Sequence, residues 1–108
     1  MAIDKDTFKA VMGSWPSGVT VVTTAIGDER LGLTASAFSS VSLDPPLVLV
    51  CIKKGNPAGD LIKRAEHFAV SVLSTDQVFW GERFAGFHKD VEDRFEGLEY
   101  VTKETGSP

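Results

Sequence analysis

Cysteine is almost absent: Cys51 is alone among 108 residues, so no disulfide can close within the chain. Its flanks, Val50 and Ile52, predict a buried thiol acting as a small hydrophobe, and a cytoplasmic protein is expected. Cations are the minority charge. Eleven Lys and Arg face 15 Asp and Glu, for a net charge of −4, which argues against a nucleic-acid partner because phosphate backbones are bound by clustered Lys and Arg. No run approaches the ~20 apolar residues of a membrane span. The opening Met-Ala-Ile-Asp-Lys-Asp lacks the basic and apolar regions of an export signal. The expectation is a protein neither exported nor membrane-embedded. Also missing are a Gly-x-Ser-x-Gly elbow, a Walker loop, Gly-x-Gly-x-x-Gly and any Cys/His cluster spaced for zinc. Hydrolysis and metal chemistry therefore have no visible machinery, no metal is predicted, and no side chain stands out as catalytic. A reaction here would need a cofactor that carries it.

What is present suits one globular domain over residues 1–108. Hydrophobic residues make up 43% and charged residues 24%, ordinary for a folded chain, although this length is near the point where core burial only just suffices. From Asp4 to Gly13 the spacing of Phe8, Val11, Met12 and Trp15 predicts an amphipathic helix, with Asp4 or Asp6 as its N-cap. It should lie on the body of the fold or across a subunit interface. Gly18 to Ile26, rich in Val and Thr, predicts a strand. Gly27-Asp28-Glu29-Arg30 has hairpin-loop chemistry, so an antiparallel return strand should follow.

Further along, Leu47 to Ile52 is apolar at every position, which predicts a strand covered on both faces at the centre of a sheet. Asn56 before Pro57 matches an N-cap followed by proline, opening a short helix that carries Leu61, Ile62 and Ala65. With Lys53 and Lys54 beside it, this corner reads either as a phosphate site or as a solvated loop with an ordinary helix start. His67 to Leu73 predicts a strand with Phe68, Val70 and Val72 on one face, and His67 itself reads as a satisfied histidine. Ser74 and Gln77 form a capping-box pattern before a helix from about Thr75 to Ala85, ending near Gly86. Phe87 to Pro108 reads as charged, partly mobile loop, with Glu92-Asp93 a solvated face. Arg94-Phe95-Glu96-Gly97 echoes Arg83-Phe84-Ala85-Gly86, a similarity too short for a repeat and read as coincidence.

The chain is organised around Leu31 to Cys51. Leu31, Leu33, Ala35 and Ala37 alternate with Gly32, Thr34, Ser36 and Phe38, predicting a strand with one packed face and one small, polar face open to a ligand. The string Gly32-x-Thr34-Ala35-Ser36-Ala37-Phe38-Ser39-Ser40-Val41-Ser42-Leu43-Asp44-Pro45-Pro46-Leu47-Val48, after Ser17-Gly18-Val19-Thr20-Val21-Val22-Thr23-Thr24, resembles the flavin reductase-like proteins of the FMN-binding split barrel. That family includes the small reductase components of two-component flavin monooxygenases. The resemblance runs from Phe8 to about Tyr100.

The resemblance implies a mainly β fold with short helices: a Greek-key-like, FMN-binding split β-barrel, incomplete at its C-terminus. It also implies FMN or FAD as cofactor and NAD(P)H as co-substrate. Carried over by position, Thr34, Ala35 and Ser36 would face the isoalloxazine, while Ser39, Ser40, Lys53 and Asn56 would meet ribityl or phosphate oxygens. The implied reaction is hydride transfer from NAD(P)H to flavin, supplying a monooxygenase partner. Family members are longer and carry a Gly-Asp-His motif that this sequence lacks. The expectation is a truncated chain whose sheet edges are covered by a second copy or a complementing fragment. A non-catalytic flavin-binding module and a cofactor-free β-barrel interaction domain are the alternative readings.

Overall fold

A computed structural model describes residues 2–108. The elements in order are α1 (Lys5–Gly13), β1 (Thr20–Ile26), β2 (Glu29–Ala35), β3 (Phe38–Ser42), β4 (Leu47–Val50), α2 (Pro57–Ala65), β5 (Ala69–Val72) and α3 (Val78–Phe84). A single 3₁₀ turn, Thr75–Gln77, leads into α3. The strands form two sheets, one ordered β2-β1-β5 and one pairing β3 with β4.

β1 is the centre of the structure. Its alternating Val and Thr fit a pleated strand better than a helix, and it pairs antiparallel with β2 from Thr20↔Ala35 to Ile26↔Glu29. Because Glu29 is already paired, the four-residue hairpin loop expected from sequence contracts to Gly27-Asp28, with Gly27 taking a left-handed φ of 57°. On its other side β1 pairs antiparallel with β5. Both faces are covered. On one, Val22, Leu33, Ala35 and Ala58 form a cluster, with α2 also burying Leu61. On the other, Val21 meets Phe84 and Phe95. The strand's hydroxyls are satisfied within this core: Thr20 donates to the Ala35 carbonyl at 2.7 Å, Thr24 to His67 at 2.8 Å, and Thr23 to Pro108.

The local signals for α1 and α2 are realised as read. The Asp4 side chain accepts from the Thr7 N–H at 2.8 Å and from the Thr7 hydroxyl, bonds that hold its carboxyl below the usual carboxylate range. Asn56 caps α2 by accepting from the Ala58 N–H at 2.9 Å. The capping-box signal at Ser74 also has a counterpart, since the Gln77 side chain accepts from the Ser74 N–H at 2.9 Å. The helix expected over Thr75–Ala85 is nevertheless split, its first turn being the tighter 3₁₀ form.

Four expectations are corrected. The strand at Leu47 is not a sheet centre: β4 belongs to a two-stranded ribbon, and Leu47, Val48 and Leu49 stay half-exposed, because among the described residues nothing covers them. Cys51, the residue after β4, is exposed rather than buried. The strand expected to continue through Phe38 ends at Ala35, and the chain passes to the second sheet after Ser36-Ala37. The strand expected over His67 to Leu73 shortens to Ala69–Val72, so Phe68 lies just before it; Phe68 and Val72 are exposed and Val70 is partly buried.

The tail after Phe87 has no regular structure, as expected, but it is pinned. Phe95 and Ser107 are buried, and Ser107 meets His67 Nδ1 at 2.9 Å, which supplies the partner expected for that histidine. The paired Arg-Phe-x-Gly segments are not coincidental in space. Phe84 and Phe95 stack edge to face with centroids 4.9 Å apart; Arg83 Nη1 donates to the Glu96 carbonyl, and Arg94 Nη1 returns a bond to the Phe84 carbonyl. Each segment ends on a left-handed glycine, Gly86 at φ 86° and Gly97 at φ 79°.

Candidate functional site

Two clefts flank the central sheet. The smaller, about 580 Å³, opens between β2 and α3, within the roughly 300–1,000 Å³ typical of small-molecule pockets. Its floor comes from Ser17-Gly18-Val19 and from Thr34 and Ser36, its far wall from Ser74, Val78, Gly81 and Ala85. Apolar surface is edged by hydroxyls, and Glu82 is its one ionisable lining residue. Gly81 brings α3 close, since a Cβ there would lie 3.3 Å from Leu73 Cδ1. The larger cleft, about 910 Å³, lies beside the β1–β2 hairpin and takes in Asn56, Pro57 and Ala58 at the start of α2, Arg30, and the tail residues Asp93, Arg94 and Tyr100.

The structure divides the sequence-derived candidates between these places. Thr34 and Ser36 line the smaller cleft. The Thr34 hydroxyl donates to the Gly81 carbonyl at 2.6 Å, so its proton is spent and a ligand would find an acceptor there. Ala35 sits between them with its side chain in the core cluster, leaving only main-chain atoms to offer. Ser39 and Ser40 lie exposed on β3, the Ser39 hydroxyl donating to the Ser40 carbonyl at 3.0 Å. Lys53 is exposed in the loop after β4, and its carbonyl accepts from the Asn56 N–H at 3.2 Å. That bond ties Lys53 and Asn56 into one corner, with Asn56 facing the larger cleft.

Electrostatics concentrate in the larger cleft. Arg30 pairs with Asp93 at 3.0 Å, donates to the Tyr100 hydroxyl, and lies over the Phe95 ring at 4.7 Å. The Phe95 N–H first, and Arg30 second, hold the Asp93 carboxyl below the usual carboxylate range. Asp93 chiefly, with Tyr100 adding, pushes the Arg30 guanidinium up. Glu92 and Asp93 are both exposed, as read from sequence, and Asp93 in addition holds Arg30. Among the described residues no three His, Cys, Asp or Glu side chains gather as a metal site requires, and no helix is long and apolar enough to cross a membrane.

Sequence reasoning missed the α3 wall and the tail's part in the fold. Gly81, a poor helix former inside a capped helix, was the available sign of close approach. The Arg-Phe-x-Gly echo was the sign of the second.

Comparison with known proteins agrees with this architecture. Residues 12–108 match the model of the flavin reductase like domain. The chain is 43% identical over 108 residues to a flavin reductase of Pseudomonas putida, covering 99% of this chain and 62% of that protein. It is 39% identical over 107 residues to an NADH-dependent FAD reductase of Streptomyces globisporus, covering 97% and 58%. The crystal structure of nitrilotriacetate monooxygenase component B from Mycobacterium thermoresistibile superposes with a TM-score of 0.90 at 33% identity, over 97% of this chain and 57% of that one. The chain thus spans about six-tenths of the length of these relatives. Its two sheets do not close on each other and form a partial split barrel, so the expected fold class holds. The chain belongs to the family of flavin reductase like domains.

Proposed function

We propose that this chain supplies the flavin-binding face of an NAD(P)H-dependent flavin reductase that works in the cytoplasm and serves a flavin-dependent monooxygenase. The observation that carries the reading is the cleft lined by Thr34, Ser36 and Gly81: apolar, hydroxyl-edged and walled by backbone at Gly18 and Gly81. A flat ring needs that kind of close main-chain approach. Relatives named as flavin reductase and as NADH-dependent FAD reductase support the same chemistry, and a relative named as a monooxygenase component supports the partner.

In this reading Thr34, Ser36 and the Ala35 backbone border the isoalloxazine. Ser39, Ser40, Lys53 and Asn56 serve the ribityl chain and phosphate, as FMN or as part of FAD. Lys53 offers a positive charge from the loop after β4, and Asn56 holds that loop through its N–H to the Lys53 carbonyl while capping α2. When bound, the flavin would accept at N5 the hydride that NAD(P)H donates from C4. The protein's part is proximity and exclusion of water, together with N–H donors that favour the charge gained on reduction. A second copy of the chain would cover α1 and the β3–β4 ribbon, whose apolar residues are exposed.

Titrating FMN and FAD while following flavin fluorescence, with NADH oxidation at 340 nm measured in parallel, tests the reading. Quenching together with NADH oxidation above the free-flavin background is the expected result. Quenching alone would assign the chain a binding role without catalysis, and no quenching by either flavin would overturn the proposal.

A further inference from the structure

The edge strand β2 carries a carbonyl, at Gly32, that a guanidinium rather than another strand satisfies. Arg94 Nη1 donates to the Gly32 carbonyl at 3.2 Å and to the Phe84 carbonyl at 2.7 Å, and a guanidinium nitrogen of this kind has two hydrogens, one for each acceptor. Gly32 and Arg94 themselves border the larger cleft, but Gly32 lies only two residues before Thr34, which lines the smaller one. The second carbonyl belongs to Phe84, the last residue of α3, the helix whose Val78 and Gly81 form the smaller cleft's far wall. No carboxylate pairs with Arg94 among the described salt bridges, so its charge is spent on main-chain geometry.

The surroundings are shaped to this contact. A Cβ on Gly32 would come within 2.8 Å of the Phe84 ring, and one on Gly86 within 3.0 Å of Arg94 Nη2. Gly86 also needs its left-handed φ of 86°. Phe84 is 1% exposed and stacks on Phe95, the residue after Arg94.

We propose that Arg94 is a positioning residue that bridges Gly32 and Phe84 and so fixes the spacing of the β2 and α3 walls at the Thr34–Gly81 contact. Its consequence for a flavin rests on the functional reading above; its effect on the walls does not. Arg83, which holds the Glu96 carbonyl from the other half of the paired segments, touches neither β2 nor the Phe84 carbonyl through a hydrogen bond and is the natural reference.

Amide hydrogen exchange on the full chain, with Arg94→Gln, Arg94→Lys and Arg83→Lys beside the unaltered protein, tests this. Arg94→Gln should speed exchange about ten-fold in residues 31–35 and 78–84 with little change in α2. Arg94→Lys should recover part of the protection, and Arg83→Lys, which also loosens its contacts over Phe79 and Trp80, should act on residues 78–84 and 96–98 but leave residues 31–35 unchanged. Unchanged exchange in β2 on Arg94→Gln, or an equal rise in α2, would overturn the proposal. If Arg94→Gln does not yield folded protein, Arg94→Lys set against Arg83→Lys decides by residues 31–35: faster exchange there in Arg94→Lys alone supports the proposal, and no difference between the two overturns it. FMN titration of the same proteins separates the two ideas. Binding by the unaltered chain that weakens about ten-fold in Arg94→Gln supports both. Binding unchanged in a variant whose β2 exchange has risen confines Arg94 to the walls and removes its flavin role. No binding even by the unaltered chain defeats the functional reading while exchange still judges Arg94.

Discussion

The β2-β1-β5 sheet and the β3–β4 ribbon are built from similar residues yet end in opposite surroundings. In the first, Val22 and Thr24 have no exposed surface, nor has Leu61 of α2 packed over them, whereas in the turn of the second Leu43 is 93% exposed. α1 sides with the ribbon, with no residue buried and Trp15, two residues beyond its end, 70% exposed. The radius of gyration, 15.1 Å, exceeds the roughly 13 Å of a tightly folded chain this long, as two outlying pieces require. The difference teaches that an apolar run predicts burial only in company. β1 has α2 on one face and α3 with the tail on the other; β4 has only β3. The sheet is held by its own contacts, and the ribbon awaits a neighbour.

Substitutions can break or sharpen this contrast. The largest loss should come from Leu61→Ala, which empties the fully buried centre of α2 and should cost about 3 kcal/mol by urea denaturation; a cost near zero would mean the sheet is not the stable half. Gly32→Ala should follow at about 2 kcal/mol, from pressing a methyl group into the Phe84 ring. Removing the α2 cap with Asn56→Ala should cost about 1 kcal/mol and weaken flavin binding if the Lys53–Asn56 corner serves the phosphate. The Arg30–Asp93 pair is worth less, about 0.5 kcal/mol, because both side chains are partly exposed. The Asp93 carboxyl titrates lower in the folded chain, so its contribution is full above the usual carboxylate range and is lost as pH falls through the lowered value; Asp93→Asn should remove that part of the acid limb in a pH series of thermal melts. Smallest of all, Leu43→Ser should change the stability of the isolated chain by less than about 0.5 kcal/mol while reducing self-association in sedimentation, should a second copy seat on the ribbon.

What could be read in advance follows the same division. The Asp4 and Asn56 caps, the Gly27 turn, the β-branched run of β1 and the Ser74–Gln77 signal are local, and each appears where expected. The placing of β4 failed because a uniformly apolar segment does not say which element will cover it. At the site, Thr34 and Ser36 do border a cleft, but the wall opposite depends on Gly81 meeting Leu73 and on Arg94 meeting Gly32. Both are pairings between distant parts of the chain that no short spacing encodes. The open polar face foreseen for Gly32 and Thr34 is half taken by α3 for that reason.

The thiol at Cys51 gives the uncovered ribbon a built-in reporter. A maleimide dye or nitroxide would attach at one place per molecule, since the chain has one cysteine and it is exposed. Its labelling rate then becomes a footprint of the ribbon, falling when a partner shields the ribbon and unmoved by anything that binds only beneath α3.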